Sequence, residues 1–389
     1  MHERTYLDHN ATAPIRPEAR AALIEALDAT GNGSAVHGEG RGARATIEAA
    51  RARVAAMVGA DPRGVIFTAG GTEADTLALT PDFSRGEAPL GCDVLLTSAV
   101  EHAAVLRGHR FPAERVELLP VDARGRVVLE ELDAALERTT QAGRRALVSV
   151  MLANNETGVI QPLAEVARRA HAHGALVHAD AVQAAGRIPV SIGALGVDLL
   201  SLSAHKIGGA PGAGALVATD PDLRPAPVFA GGGQERGRRA GSENIPAIAA
   251  FGAAAERAGA SVIDEMARID ALRERLESAL RSEFPELVLL VGDVERLPNT
   301  SCLAFPGVPA ETLVIALDLA GVAASAGAAC SSGKVTASHV LGAMGVPERI
   351  ARSAIRLSFG WSSGEEDVDR ALGAFRRVWP GLLRRARAA

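Results

Sequence analysis

Lysine is nearly absent from this 389-residue chain: of its 41 basic side chains, only Lys206 and Lys334 are not arginine. Cysteine is scarce as well. The three present, Cys92, Cys302 and Cys330, form no CxxC pair, which argues against a disulfide framework and against a cysteine-based zinc site. There is no basic excess, the net charge being −5, and no basic tract interleaved with aromatics, so nucleic-acid binding has no support. Aromatic residues make up only 3%. No apolar run is long enough to cross a bilayer, and Met1-His2-Glu3-Arg4 does not begin a signal peptide. The expected setting is therefore the cytoplasm, with neither membrane nor nucleic acid as a partner.

What remains is ordinary globular material, 48% hydrophobic and 22% charged, and long enough for two domains. Helical patterns at Pro17–Ala29 and Gly42–Val58 follow a short extended start. Short β-rich runs then alternate with helical ones, at Gly64–Thr68, Asp93–Thr97, Arg115–Leu119, Ala146–Met151, Ala175–His178, Asp198–Ser203 and Gly214–Thr219. Such alternation predicts crossover units and a mostly parallel seven-stranded sheet, with ligands at the carboxyl ends of its strands. After about Ala260 the pattern changes. An amphipathic helix near Ser261–Glu283 leads to strands at Glu286–Val291 and Thr300–Phe305, then a helix near Glu311–Ala320 and terminal helices. The expected organisation is a large domain over 14–260. A smaller α+β domain would comprise 1–13 and 261–389, with a small-residue loop at about 323–336.

Several polar residues fall just past predicted strand ends. In Thr68-Ala69-Gly70-Gly71-Thr72-Glu73-Ala74-Asp75, two glycines turn and Thr72 can cap a helix with Asp75 at its third position. A glycine-flanked helix start offers free N–H groups to an anion such as phosphate, although a plain capped helix has the same look. Glu101-His102 and Asn154-Asn155-Glu156 are weak signals alone. Asp180, closing a strand, is stronger, because a carboxylate there needs a cationic partner. A protonated pyridine nitrogen is such a partner. Lys206 stands one crossover unit later, after an apolar run and before Gly208-Gly209. Unlike arginine, a desolvated lysine becomes a nucleophilic amine that can form a Schiff base.

Taken together these residues resemble the cysteine desulfurases, pyridoxal-phosphate enzymes of the aspartate-aminotransferase fold type and of the class V aminotransferase group. The likeness runs nearly end to end, through Tyr6-Leu7-Asp8, Asn32…Ser34…His37, Gly71-Thr72-Glu73, Asn154-Asn155-Glu156, Ser203-Ala204-His205-Lys206, Gly231-Gly232-Gly233-Gln234-Glu235, Arg239-Ala240-Gly241-Ser242, Cys330 and Arg356. It implies that Lys206 carries pyridoxal 5'-phosphate and moves protons, and that Asp180 meets the pyridine nitrogen. His102 would stack on the ring and take part in catalysis. Asn155 and Gln183 would hold the phenolic oxygen. Gly71, Thr72, Ser203 and His205 would hold the phosphate, with Ser242 reaching that of the other subunit in an obligate homodimer. Arg356, helped by Asn155 and Asn32, would bind the substrate carboxylate. Gly71 and Ser242 replace the usual alanine and threonine, and Gly33 the usual proline; none of these removes a chemical group.

Cys330 is the third element. Cys92 and Cys302 lie in apolar surroundings and read as buried small hydrophobes. Cys330 is set among small residues, Ser325-Ala326-Gly327-Ala328-Ala329-Cys330-Ser331-Ser332-Gly333-Lys334, as a nucleophile that collects sulfur in one place and delivers it in another requires. Lys334 reads as a solvated loop lysine. The spacing from Cys330 to Val340-Leu341 matches the long-loop class. The resemblance implies that L-cysteine becomes L-alanine while its sulfur passes to Cys330 as a persulfide. An acceptor protein such as an iron–sulfur scaffold then takes it. No intrinsic metal is expected, although Cys330 could ligate a shared iron–sulfur cluster during transfer. A selenocysteine lyase or another class V aminotransferase is the nearest alternative. A non-catalytic sulfur-carrier subunit is the alternative of another kind, and it would have no need of both Lys206 and Asp180.

Overall fold

The computed structural model describes residues 4–326 and 338–388. At its centre is a seven-stranded sheet of β1 (Val65–Thr68), β2 (Val94–Ser98), β3 (Val116–Leu119), β4 (Ala146–Ser149), β5 (Leu176–Asp180), β6 (Leu199–Ser203) and β7 (Gly214–Ala218). The strand order is β1-β7-β6-β5-β4-β2-β3, and only β7 runs antiparallel to its neighbours. All seven predicted strands are present, within a few residues of their expected ends.

Alternation along each strand sends side chains to two separate cores. Val65, Phe67, Leu96, Val148, Val177, Leu200 and Val217 join one apolar cluster. Their neighbours Ile66, Leu95, Leu147, Leu176, Leu199 and Leu216 join another on the opposite face. Both faces being covered explains why these strands read as unbroken apolar runs. Close approach of backbones also matters at the sheet edge. A Cβ on Gly214, at the start of β7, would meet the Gly70 carbonyl carbon at 2.4 Å, so β7 can lie against the turn before the next helix only as glycine.

Helices α1 (Pro17–Asp28) and α2 (Gly38–Met57) precede the sheet, and α3 (Gly71–Ala78) follows β1. The largest departure from expectation is α4, one continuous helix over Ile245–Glu283, about 58 Å long at the usual rise. The Asn244 side chain accepts from Ala247 N–H at its start. The expected domain boundary at 260 falls inside it. Its first half, Ala247 to Ala258, is buried in the large sheet's core, while Ile269, Leu272, Leu276 and Leu280 belong to a second core. A helix half covered nearly all round shows no amphipathic period, which is why only the second half stands out in the sequence.

That second core lies beside an antiparallel sheet of β8 (Val288–Leu289), β9 (Thr300–Ala304), β10 (Ser325–Ala326) and β11 (Ala354–Ser358), in the order β8-β9-β11-β10. Helices α5 (Ala310–Leu319) and α6 (Glu365–Ala388) pack with it. The N-terminal pair Thr5–Tyr6 runs parallel to Val322–Ala323, and Asp8 bridges to Ser358. A small three-stranded sheet, Asp82–Arg85, Ala88–Gly91 and Leu223–Pro225, has no counterpart in the sequence reading. Its strands are short and half exposed, with little apolar alternation to mark them.

Candidate active site

The carboxyl ends of β1, β2, β4, β5 and β6 converge, and the candidate residues come with them. Asp180 closes β5 and pairs in register with Ser201 on β6, three residues before the turn that carries Lys206 begins. Asp180 is buried, and its Oδ1 accepts from Val182 N–H at 2.8 Å. Burial raises its carboxyl above the ordinary range, while His102 and Lys206 pull it back down. Two residues earlier on β5, His178 is clamped between Ser149 Oγ and Ser201 Oγ, each at 2.9 Å, and burial pushes its pKa down to about 3. A neutral imidazole with both nitrogens occupied is held rigidly between β4 and β6.

Helix α3 corrects one expectation. Thr72 is its second residue, not its cap, and no side chain caps the helix. Asp75 is buried, one of its oxygens is without a hydrogen-bond partner among the described residues, and burial with the Asp180 charge holds it well above the carboxylate range. Glu73 instead reaches back to Ala69 N–H at 2.8 Å and pairs with Arg239. The uncapped start of α3 opens on a cleft of ≈ 990 Å³ lined by Gly70, Gly71, Thr72, Ser203, His205 and Phe229, among others. A Cβ at Gly71 would meet Val182 Cγ2 at 2.8 Å, so the bare glycine keeps this wall clear. Free helix N–H groups, two hydroxyls and an imidazole form a donor set that fits a phosphate.

Lys206 Nζ donates to Asn10 O at 2.6 Å and Ala11 O at 2.8 Å. Burial, helped by the Arg187 and Arg356 charges and opposed by Asp180 and Asp8, brings its pKa down to about 7, well below that of an ordinary lysine and towards the nucleophilic neutral amine. His102 caps the short helix Ala103–Leu106 through Nδ1, which accepts from Ala104 N–H. Gln183 Nε2 donates to Asn10 O at 3.0 Å, and its Oε1 accepts from Arg187. Arg187 was not anticipated; burial and Arg356 lower its guanidinium to about 9.

Arg356, on β11, donates through Nη1 to Asn155 O at 2.9 Å and through Nη2 to Asp8 Oδ1 at 2.7 Å. Its Nε is buried without a partner among the described residues. Asp8 also accepts from Ser325 Oγ at 3.0 Å. On the other side, Ser338 Oγ donates to Glu156 Oε2 at 2.5 Å, and burial pushes Glu156 up to about 7. Cys330 and Lys334 lie outside the described residues. Cys92 and Cys302 are buried and free, and burial raises both thiols to about 12, as their apolar surroundings led us to expect.

Asn32 and Ser242 sit apart from this cluster. Asn32 is exposed, its Oδ1 accepting from Ser34 N–H, and the adjoining Gly33 and Ser34 share a cavity with Glu243. Ser242 lines the cavity next to the cradle, which it shares through Ala69 and Gly212. The loop leading to Ser242 is pinned by Glu235, buried against both Arg51 Nη atoms at 2.8 and 2.9 Å and accepting from Phe67 N–H at 3.0 Å. That pairing holds Glu235 and Arg236 in left-handed backbone, with φ of 47° and 59°.

A large mostly parallel sheet with a lysine, an acid and an anion cradle at its strand ends defines an enzyme of the pyridoxal-phosphate fold type I class. The family model for Aminotransferase class-V matches residues 5–371, and the chain belongs to that family, whose members use pyridoxal phosphate. A cysteine desulfurase of Cereibacter sphaeroides is 42% identical, the alignment covering 99% of this chain and 97% of the relative. The crystal structure of a NifS-like protein from Rickettsia africae has a TM-score of 0.86 at 34% identity, covering 97% of this chain and 100% of that one. A structure of SspA in complex with cysteine has a TM-score of 0.75 at 28% identity, covering 91% and 98%. Among the described residues no helix is long and apolar enough to cross a membrane, and no cluster of metal-ligating side chains is present.

Proposed function

We propose that this chain is a cysteine desulfurase that uses pyridoxal 5'-phosphate to convert L-cysteine to L-alanine and passes the sulfur on through Cys330. The observation that carries the reading is the near-neutral Lys206 amine beside the buried Asp180 carboxylate, at the ends of adjacent strands and next to an anion cradle. It agrees with the activity named for the Cereibacter sphaeroides relative. Once bound, pyridoxal phosphate supplies an electron sink for the α-carbon of an amino acid.

The residues divide the remaining work. Lys206 would be the attachment point and Asp180 would keep a positive charge on the pyridine nitrogen; Asn155 and Gln183 would hold the phenolic oxygen, with His102 against the ring. Gly71, Thr72, Ser203 and His205 receive the phosphate. Asn32 and Ser242 would complete the site of a second copy, making the enzyme a homodimer. Arg356 receives the substrate carboxylate on its planar fork, its unpartnered Nε being the spare donor. Lys206 would then take the α-proton. The Cys330 thiolate attacks the substrate sulfur, forming an S–S bond as the Cβ–S bond breaks; the electron pair left on Cβ is protonated, and Lys206 returns a proton to Cα, giving L-alanine. An acceptor protein, such as an iron–sulfur scaffold in the cytoplasm, removes the persulfide sulfur. Residues 14–260 would act as the cofactor-binding unit, with 1–13 and 261–389 bringing Arg356 and Cys330 to it.

The test is alanine formation from L-cysteine, followed with a thiol acceptor present. The purified protein should be yellow, make equimolar alanine and sulfide, and lose both in Cys330→Ser. Full alanine production by that variant would overturn the persulfide step.

A further inference from the structure

The N-terminal segment does more than tie the two sheets together. Asn10 is 1% exposed and lies where they meet. Its backbone N–H donates to Ser358 Oγ at 3.0 Å. Its side-chain Nδ2 donates to Thr300 Oγ1 at 2.9 Å and to Asn155 O at 3.2 Å, while its Oδ1 accepts from Asn299 Nδ2 at 2.9 Å. The small sheet and the Asn155 turn therefore occupy the whole amide, leaving residue 10 little freedom to turn. What this fixes is the Asn10 carbonyl. It accepts from Lys206 Nζ at 2.6 Å and Gln183 Nε2 at 3.0 Å, and the next carbonyl, Ala11 O, accepts from Lys206 again at 2.8 Å. The run continues with Thr12 Oγ1 at 3.1 Å from His205 Nδ1, and with Ala13 N–H donating to His205 O at 2.9 Å.

We propose that the Asn10 and Ala11 carbonyls are the docking place of the free Lys206 amine, and that Asn10 is the positioning residue that holds them there. The inference rests on Lys206 being the lysine that carries the cofactor. When a substrate amine takes its place, the two hydrogens of that amine pass to the lysine nitrogen, which leaves as a free amine. In a buried cleft such an amine needs acceptors, or the exchange is opposed by the cost of an unpaired polar group. Two fixed carbonyls meet that need. They favour the exchanged state, and they hold the nitrogen in one place from which it can next take a proton from the substrate α-carbon. Arg187 and Arg356, close enough to be felt by the amine, favour its neutral form, so the carbonyls hold it without locking a proton on it.

A ligand gains from this docking place only if it displaces the lysine. Two ligands of the holoenzyme separate that effect from general damage to the cleft. L-alanine carries an amine, and its binding is followed by the change in the cofactor absorption band. 3-Mercaptopropionate has the carboxylate and thiol but no amine, and its inhibition constant is measured against L-cysteine. In Asn10→Ala, L-alanine should bind at least about tenfold more weakly, the loss expected for hydrogen bonds to a chargeable group, while the 3-mercaptopropionate constant changes by less than about twofold. Thr300→Val keeps shape and removes one of the groups that hold the Asn10 amide; it should weaken L-alanine about threefold in the same selective way, and it carries the test if Asn10→Ala does not fold. Equal weakening of both ligands, or unaltered L-alanine binding in the variants, would overturn the proposal. Failure of the unaltered chain to develop any band with cofactor would instead overturn the cofactor assignment beneath it.

Discussion

The two halves of the cleft are built in opposite ways. The half we propose for the cofactor rests mainly on one sheet: Ser149, His178, Asp180, Ser201 and Ser203 stand on adjacent parallel strands, joined by crossovers, with contacts that span a few tens of residues, and Lys206 follows in the turn after β6. In the substrate half Arg356 reaches Asp8 at one end of the chain and Asn155 near its middle, and Asn10 joins Thr300 to Lys206. The strand part of the first half is held by neighbours in sequence, so that part is in place once the large sheet has formed. The second exists only after two separately cored units have been brought together along α4. Recognition of the cofactor and recognition of the substrate should therefore be separable.

The comparison can be broken from the cofactor side first. Lys206→Ala should lower kcat by about 10³-fold or more, since on the proposed function it removes both the attachment point and the group that moves the proton. Added methylamine should restore some turnover without changing KM for cysteine. From the substrate side, Arg356→Lys loses the bidentate fork and should raise KM by roughly 10- to 100-fold, with the cofactor absorption band unchanged. A band that moved with Arg356→Lys would show that the halves are not independent.

A smaller effect tests the buried His178 clamp. Ser201→Ala leaves His178 Nε2 buried without its hydroxyl and should cost about 1–3 kcal/mol in denaturant unfolding, with KM unaltered. The smallest concerns pH. A lysine lowered to about 7 gains its nucleophilic form as pH rises through that value. Cofactor uptake by the cofactor-free chain should therefore speed up about tenfold from pH 6 to 8 and then level off, whereas an unshifted lysine would keep accelerating towards pH 10. Stopped-flow absorbance at fixed pyridoxal phosphate distinguishes the two profiles.

The difference between the halves also governs what can be read without a structure. Asp180 and Lys206 are legible because each follows a short apolar run, and one crossover unit between them places both at the same sheet edge. The inert nature of Cys92 and Cys302 is legible from their apolar neighbours alone. Asp75 was misread because a polar residue near a helix start resembles a capping group, and nothing in the sequence says that its side chain turns inward. Arg187 and Asn10 are a single arginine among many and an asparagine in a short extended run. Their partners lie up to hundreds of positions away, beyond the reach of any local pattern. The first half of α4 escaped notice for the reverse reason, being too uniformly apolar to show a period.

By itself, then, the sequence determined the sheet, the order of its strands along the chain, and the residues at their carboxyl ends, because strand period and crossover length are local properties of the backbone. It also marked the lysine able to act as an amine. Only the tertiary structure decided how basic that lysine is and where it rests. Both depend on burial and on Asn10, Ala11, Arg187 and Arg356, which distant parts of the chain bring to it.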